Sequence, residues 1–161
     1  MSARALVVLA LLASPVLDAA AIGQAPAATA HATQRVRQVI DGDTITVSGI
    51  GTVRLIGVDA PEKTGGYRPS EPYGDEATRF MKSLLDGKVV QLEYDGERKD
   101  PYDRTLAYVY LEDGTLANEA IIRAGFAETY RRFTYRLKPR FQAAEKEARE
   151  AHHRGMWATR R

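Results

Sequence analysis

Cysteine is absent from this 161-residue sequence, and the only histidines are His31, His152 and His153. The first absence excludes disulfides, thiolate nucleophiles and cysteine-based zinc sites together. Stability therefore has to come from the apolar core, helped by a bound ion if the fold holds one. The scarcity of histidine removes the usual partner of a serine nucleophile. His152 and His153 are neighbours in sequence and face different ways on a helix, so they make a poor metal pair and suit a polar helix end. If the chain is a hydrolase, water is the expected attacking group and a carboxylate its base. An excess of one charge is also missing: 23 basic against 21 acidic residues leave a formal +2, although the pI is near 8.9. Partners must then be read from local patches, not from the total.

Long apolar runs are scarce as well. Leu6 to Leu17 is apolar apart from Ser14 and Pro15, well short of the ~20 residues that a membrane-spanning helix needs. With Arg4 before it and Ala19-Ala20-Ala21 after it, the run has the three-part layout of a secretory signal peptide. Residues 1–21 are expected to be that signal. Residues 22–34, alanine-rich with Gly23 and Pro26, are expected to be a flexible linker. The folded domain is expected over 35–161, as a secreted or periplasmic monomer with no stable membrane partner.

Within that domain, period-two alternation predicts strands over Val36–Ile40, Ile45–Val47 and Val53–Val58, joined by short glycine-bearing turns that favour antiparallel neighbours. Two more are predicted at Val89–Tyr94 and Leu106–Leu111. Helices are predicted over Ala77–Leu85, Leu116–Ala124 and Leu137–Ala151, with Trp157 plugging the core. The stretch from Glu62 to Pro72 carries two glycines and two prolines and reads as a mobile surface loop. Five short strands and three helices suggest an α+β fold on a partly open OB-type β-barrel, an architecture that often binds nucleic acid.

Two constellations carry chemistry. Asp41, Asp43, Asp59 and Glu62 lie in a turn or at a strand end, and neighbouring strands would let all four carboxylates converge. Such a cluster repels itself unless a hard divalent cation compensates it, and carboxylates with backbone carbonyls are the ligands calcium prefers. The bland alternative for Asp41-Gly42-Asp43 is a solvated turn. An EF-hand is excluded, because Thr46 and Thr52 stand where that loop needs glycine and glutamate. Arg54, inside Val53-Arg54-Leu55, points away from its apolar neighbours, and Arg104 precedes the fifth strand. Guanidinium forks match phosphate oxygens bidentately. A third stretch interleaves Arg131, Arg132, Arg136, Lys138 and Arg140 with Tyr130, Phe133 and Tyr135. It suits single-stranded nucleic acid, or else it is a solvated basic surface.

Taken together, Ile40-Asp41-Gly42-Asp43-Thr44, the run from Val53 to Glu62, Tyr73-Gly74-Asp75-Glu76-Ala77, Asp100 to Tyr110, Asn118-Glu119-Ala120 and Gly155-Met156-Trp157 resemble the staphylococcal nuclease (thermonuclease) family. The resemblance implies an OB barrel with three helices that binds one Ca2+ ion and hydrolyses phosphodiesters in DNA and RNA. It implies Asp43, Asp59 and the Ala60 carbonyl as metal ligands, with Asp41 behind them acting through water. Glu62 matches the general base, Arg54 and Arg104 the pair that grips the phosphate, and Tyr102 an aromatic lining the nucleotide pocket. Three departures stand out. Ala60 replaces a threonine whose carbonyl is what binds, the turn between Asp43 and Arg54 is shorter, and Asp103 replaces a glycine, setting a negative charge beside Arg104. The rival readings are a catalytically inactive OB module that binds nucleic acid or protein, and a calcium-stabilised exported scaffold.

Overall fold

The computed structural model describes residues 33–66, 68–151 and 155–158. The expected signal segment, most of the expected linker and all three histidines lie outside them.

Strands β1 (Thr33–Val39), β2 (Thr44–Val47) and β3 (Gly51–Leu55) form an antiparallel meander, with Val39 opposite Ile45 and Ile45 opposite Val53. β-branched residues line their inner face: Ile45 and Val47 alternate, and an irregularity between Val36 and Gln38 lets Val36 and Val39 both be buried, as is Val53. The apolar run predicted as one third strand is broken at Gly57, whose φ of 76° ends the strand twist. Beyond it, β4 (Val58–Asp59) leaves the barrel and pairs with β7 (Glu128–Thr129), a two-residue ladder too short to show any periodicity.

After helix α1 (Gly74–Leu85), β5 (Val89–Glu93) and β6 (Thr105–Leu111) complete the barrel in the order β1-β2-β3-β6-β5. β6 runs parallel to β3, which the intervening helix and strand make possible. The barrel is closed, where a partly open one was expected. Closure comes from β1, whose Thr33 and Gln34 pair with Gln91 and Val90 of β5. The barrel thus takes in the last two residues of the stretch predicted as linker.

Helices α2 (Ala117–Arg123) and α3 (Lys138–Glu150) finish this OB-type α+β fold. α1 buries Ala77, Met81 and Leu85, α2 buries Ile121 and Ile122, and α3 buries Phe141 and Ala144. The fully buried Asn118 pins α2 to the barrel. Its carbonyl accepts the Val109 N–H at 2.9 Å, and its amide donates to the carbonyls of Ile56 at 2.9 Å and Ala107 at 3.2 Å. Trp157 is buried as predicted, and the adjacent Met156 N–H donates to the Gly125 carbonyl at 2.9 Å. Among the described residues, no helix is long and apolar enough to cross a membrane.

Candidate active site

The site is built where the β1–β2 turn meets the exit of β3. Asp43 sits immediately before β2, and its carbonyl accepts the Leu55 N–H at 2.9 Å, so the β2–β3 ladder fixes its backbone. Gly42 allows this turn to lie against its neighbours, since a Cβ there would stand 2.6 Å from the Ala60 Cβ and 3.0 Å from the Ala77 Cβ. The tripeptide Asp41-Gly42-Asp43 is therefore packed against the protein and is more than a solvated turn.

Asp43 is the focus. Its side chain is 12% exposed, and its Oδ2 meets Arg54 Nη2 at 2.9 Å and accepts the Ala60 N–H at 3.2 Å. Oδ1 accepts the Thr44 hydroxyl at 2.9 Å, and Asp41 Oδ1 accepts the Asp43 N–H at 3.1 Å. Burial pushes the Asp43 carboxyl up to about 6, Arg54 pulls it down, and the neighbouring Asp41 adds a further upward push. Arg54 does point from β3 toward the carboxylates, as its alternation predicted, and its other amino group donates to the Leu55 carbonyl at 2.9 Å.

Glu62 is placed by the loop behind it. Its carbonyl accepts the Glu71 N–H at 2.9 Å, and its own N–H donates to Glu71 Oε2 at 3.1 Å. Gly74 opens α1 so close to this carbonyl that a Cβ would stand 2.0 Å from the oxygen. Thr64 adds a second tie, giving both its N–H and its hydroxyl to Asp75 at 3.0 and 2.8 Å. The loop predicted as mobile is thus cinched at its base.

Convergence of four carboxylates is not what the structure shows. Asp41 and Asp43 share one turn, but Asp59 follows the buried Val58 on β4 and so faces outward. The Glu62 carboxylate turns to Arg68, with 3.3 Å between Oε1 and Nη1. Among the described residues, no three acidic side chains gather closely enough to hold a metal ion. The donor chemistry of Asp43, Asp59 and the Ala60 carbonyl still fits a hard, oxygen-seeking cation. Among the described residues the Asp41–Asp43 pair sets two carboxylates against one guanidinium, which leaves room for a further cation.

Arg104 enters from the loop before β6. Sequence reading missed what holds it. Asp100 accepts the Arg104 N–H at 2.9 Å on Oδ1 and its Nε–H at 2.7 Å on Oδ2, and also takes the Tyr102 N–H at 2.9 Å. Burial alone would raise the Asp100 carboxyl, but these hydrogen bonds from Arg104 and Tyr102 hold it below the ordinary range. An aspartate two residues before one donor and four before an arginine is a legible signal, combining an Asx turn with an ion pair. With Asp100 on the Nε edge, the terminal amino groups of Arg104 hydrogen-bond to none of the described residues. Tyr102 is 75% exposed, and its ring centroid lies 5.4 Å from the Arg104 guanidinium carbon. Asp103 turns its charge to Lys99 and not to Arg104. It adopts a φ of 62°, which explains a preference for glycine there, and its carboxylate pairs with Lys99 at 2.9 Å.

Several cations of the basic run beyond β7 pair within the protein while remaining on its surface. Arg131 pairs with Glu145 at 2.9 Å, Arg136 with Glu93 and Arg140 with Glu119. Lys138 donates to the carbonyls of Arg131 and Phe133 at 2.9 and 2.8 Å.

The family model described as "Staphylococcal nuclease homologue" matches residues 52–159. The chain is 43% identical over 122 residues to a thermonuclease of Staphylococcus hyicus, covering 73% of this chain and 72% of that one. It is 50% identical over 98 residues to a thermonuclease of Staphylococcus intermedius, covering 56% and 58% of the two chains. An uncharacterized endonuclease of Escherichia coli is 39% identical over 127 residues, covering 77% and 76%.

Proposed function

The chain belongs to the staphylococcal nuclease family, and from that premise we propose that it is a calcium-dependent endonuclease hydrolysing phosphodiester bonds in both DNA and RNA. The observation that carries this reading is the pairing of buried Asp43 with Arg54 beside Ala60, where two neighbouring aspartates leave negative charge for a cation to balance. Asp43, Asp59 and the Ala60 carbonyl would hold the ion, with Asp41 behind them. Bound there, calcium would supply positive charge against phosphate oxygens and help order the attacking water.

The protein's own groups do the rest. Glu62 takes a proton from water as it attacks phosphorus, a contribution worth typically ~10²–10⁴-fold. The bond from phosphorus to one sugar oxygen breaks, and that oxygen takes a proton from solvent. Arg104, gripped on one edge by Asp100, offers its open edge to the phosphate without having to be reoriented. Arg54, anchored to the Leu55 carbonyl, balances charge from the side of Asp43. Tyr102 offers a ring on which a base can stack. The inactive binding module is the poorer reading, because Asp43, Asp59, Arg54, Glu62 and Arg104 are all present.

The test is digestion of single-stranded DNA and of RNA with calcium and with a chelator. Cleavage of both that stops on chelation is expected; binding without cleavage at any calcium concentration would favour the inactive module. We also propose an exported monomer, with residues 1–21 as a cleaved signal. Mass spectrometry of the protein from its source should find Ile22 at the amino terminus, and retention of Met1 would contradict export by this route.

A further inference from the structure

Arg68 has no part in the chemistry above, yet it ends on the proposed base. Its Nη1 lies 3.3 Å from Glu62 Oε1, and its side chain is 71% exposed against 28% for Glu62. We propose that Arg68 is a phosphate contact for the bound strand, parked on Glu62 in the free protein and drawn off it when nucleic acid arrives. The role of Glu62 as base is taken from the proposed function; the hand-over itself is measured by binding alone.

Three observations support an exchangeable contact over a strap. First, the Glu62 backbone is already fixed by Glu71 and by the close approach of Gly74, neither of which involves Arg68. Second, the loop is tied at both ends, Thr64 to Asp75 and Glu71 to Glu62, so the stretch between them reaches out and returns one cation to the mouth of the site. Third, the pair is made through one oxygen and one nitrogen at an exposed position, where ion pairs contribute little. A phosphate can take a guanidinium through two oxygens, a fork that the single-oxygen contact to Glu62 does not use. The exchange leaves the Glu62 carboxylate without its cation partner.

The test is a double-mutant cycle on the full chain, using a fluorescent single-stranded DNA oligonucleotide in chelator and read by anisotropy over a salt series. Arg68→Ala should weaken binding about tenfold, the size of one charge-assisted hydrogen bond. It should also reduce the slope of log Kd against log salt by about 0.7, the value of one phosphate contact on a single strand. Arg68→Lys should restore the slope, and Arg79→Ala, which removes an equally exposed arginine from α1, should leave it as in the wild type. Glu62→Gln should tighten binding about threefold when Arg68 is present and less when it is alanine, because it frees a cation only in the first case. A wild-type slope in Arg68→Ala, or equal tightening in both backgrounds, would overturn the proposal. If Glu62→Gln kept its calcium-dependent cleavage, the base assignment would fail while the binding cycle still decided Arg68. An oligonucleotide that did not bind at all would sink both.

Discussion

The mouth of the barrel and the seam where α3 meets α2 and β7 contain the same kinds of residue and use them differently. Along α3, Glu145 is 3% exposed and is flanked by Arg131 and Arg149, and it also accepts the Thr129 N–H at 3.2 Å. Glu119 likewise holds Arg123 and Arg140. Cations and carboxylates there satisfy one another and fasten α3 to α2 and to β7. At the mouth, Asp41 and Asp43 together face one guanidinium, and Arg104 keeps an edge that no described residue occupies. Density of charge does not distinguish the two regions; completeness of pairing does. The compensated one is a brace, and the uncompensated one is where an ion and a polyanion can be accommodated.

That contrast breaks most visibly at Arg104. Arg104→Ala should lower turnover by roughly 10³–10⁵-fold, the range for a charge-stabilising arginine in phosphoryl transfer, while the melting temperature stays near wild type. Steady-state kinetics beside a thermal melt would check both halves. Glu145→Gln should do the reverse, costing about 2 kcal/mol of stability at neutral pH, by urea unfolding, with turnover intact. Burial would raise the Glu145 carboxyl, but Thr129, Arg149 and Arg131 hold it below its ordinary value of 4.5. A depressed folded-state pKa gives stability that is complete above the unfolded value and lost as pH falls through the folded one. The penalty of Glu145→Gln should therefore shrink below pH 4.5. Asp103→Gly is the smallest change. It relieves a left-handed residue worth about 1 kcal/mol, partly offset by loss of the Lys99 pair, and should leave turnover within a few-fold of wild type.

Much of the barrel was legible because β-branched residues alternate around glycine-bearing turns, and so was the direction of Arg54, set by its strand's alternation, though its pairing with Asp43 was not. The break at Gly57 was hidden because Leu55, Ile56 and Val58 read as one apolar run. β4 and β7 are too short for a pattern to exist. Charge pairing was the least legible feature: Arg131 and Glu145, or Arg140 and Glu119, are far apart in sequence and meet only through helix packing. In the basic stretch Arg131, Arg136 and Arg140 each meet a carboxylate while their side chains stay about half exposed. Glu62 was singled out in the sequence and Arg68 was not, because their contact depends on how the intervening loop returns.

The most direct measurement is cleavage and binding of one single-stranded DNA substrate, in calcium, by the wild type and by Glu62→Gln. The wild type should cut, and the variant should bind at least as tightly with turnover reduced by about 10²–10⁴-fold. Cutting by Glu62→Gln at the wild-type rate would contradict the account of the site, and a wild type that bound without cutting would contradict the nuclease itself.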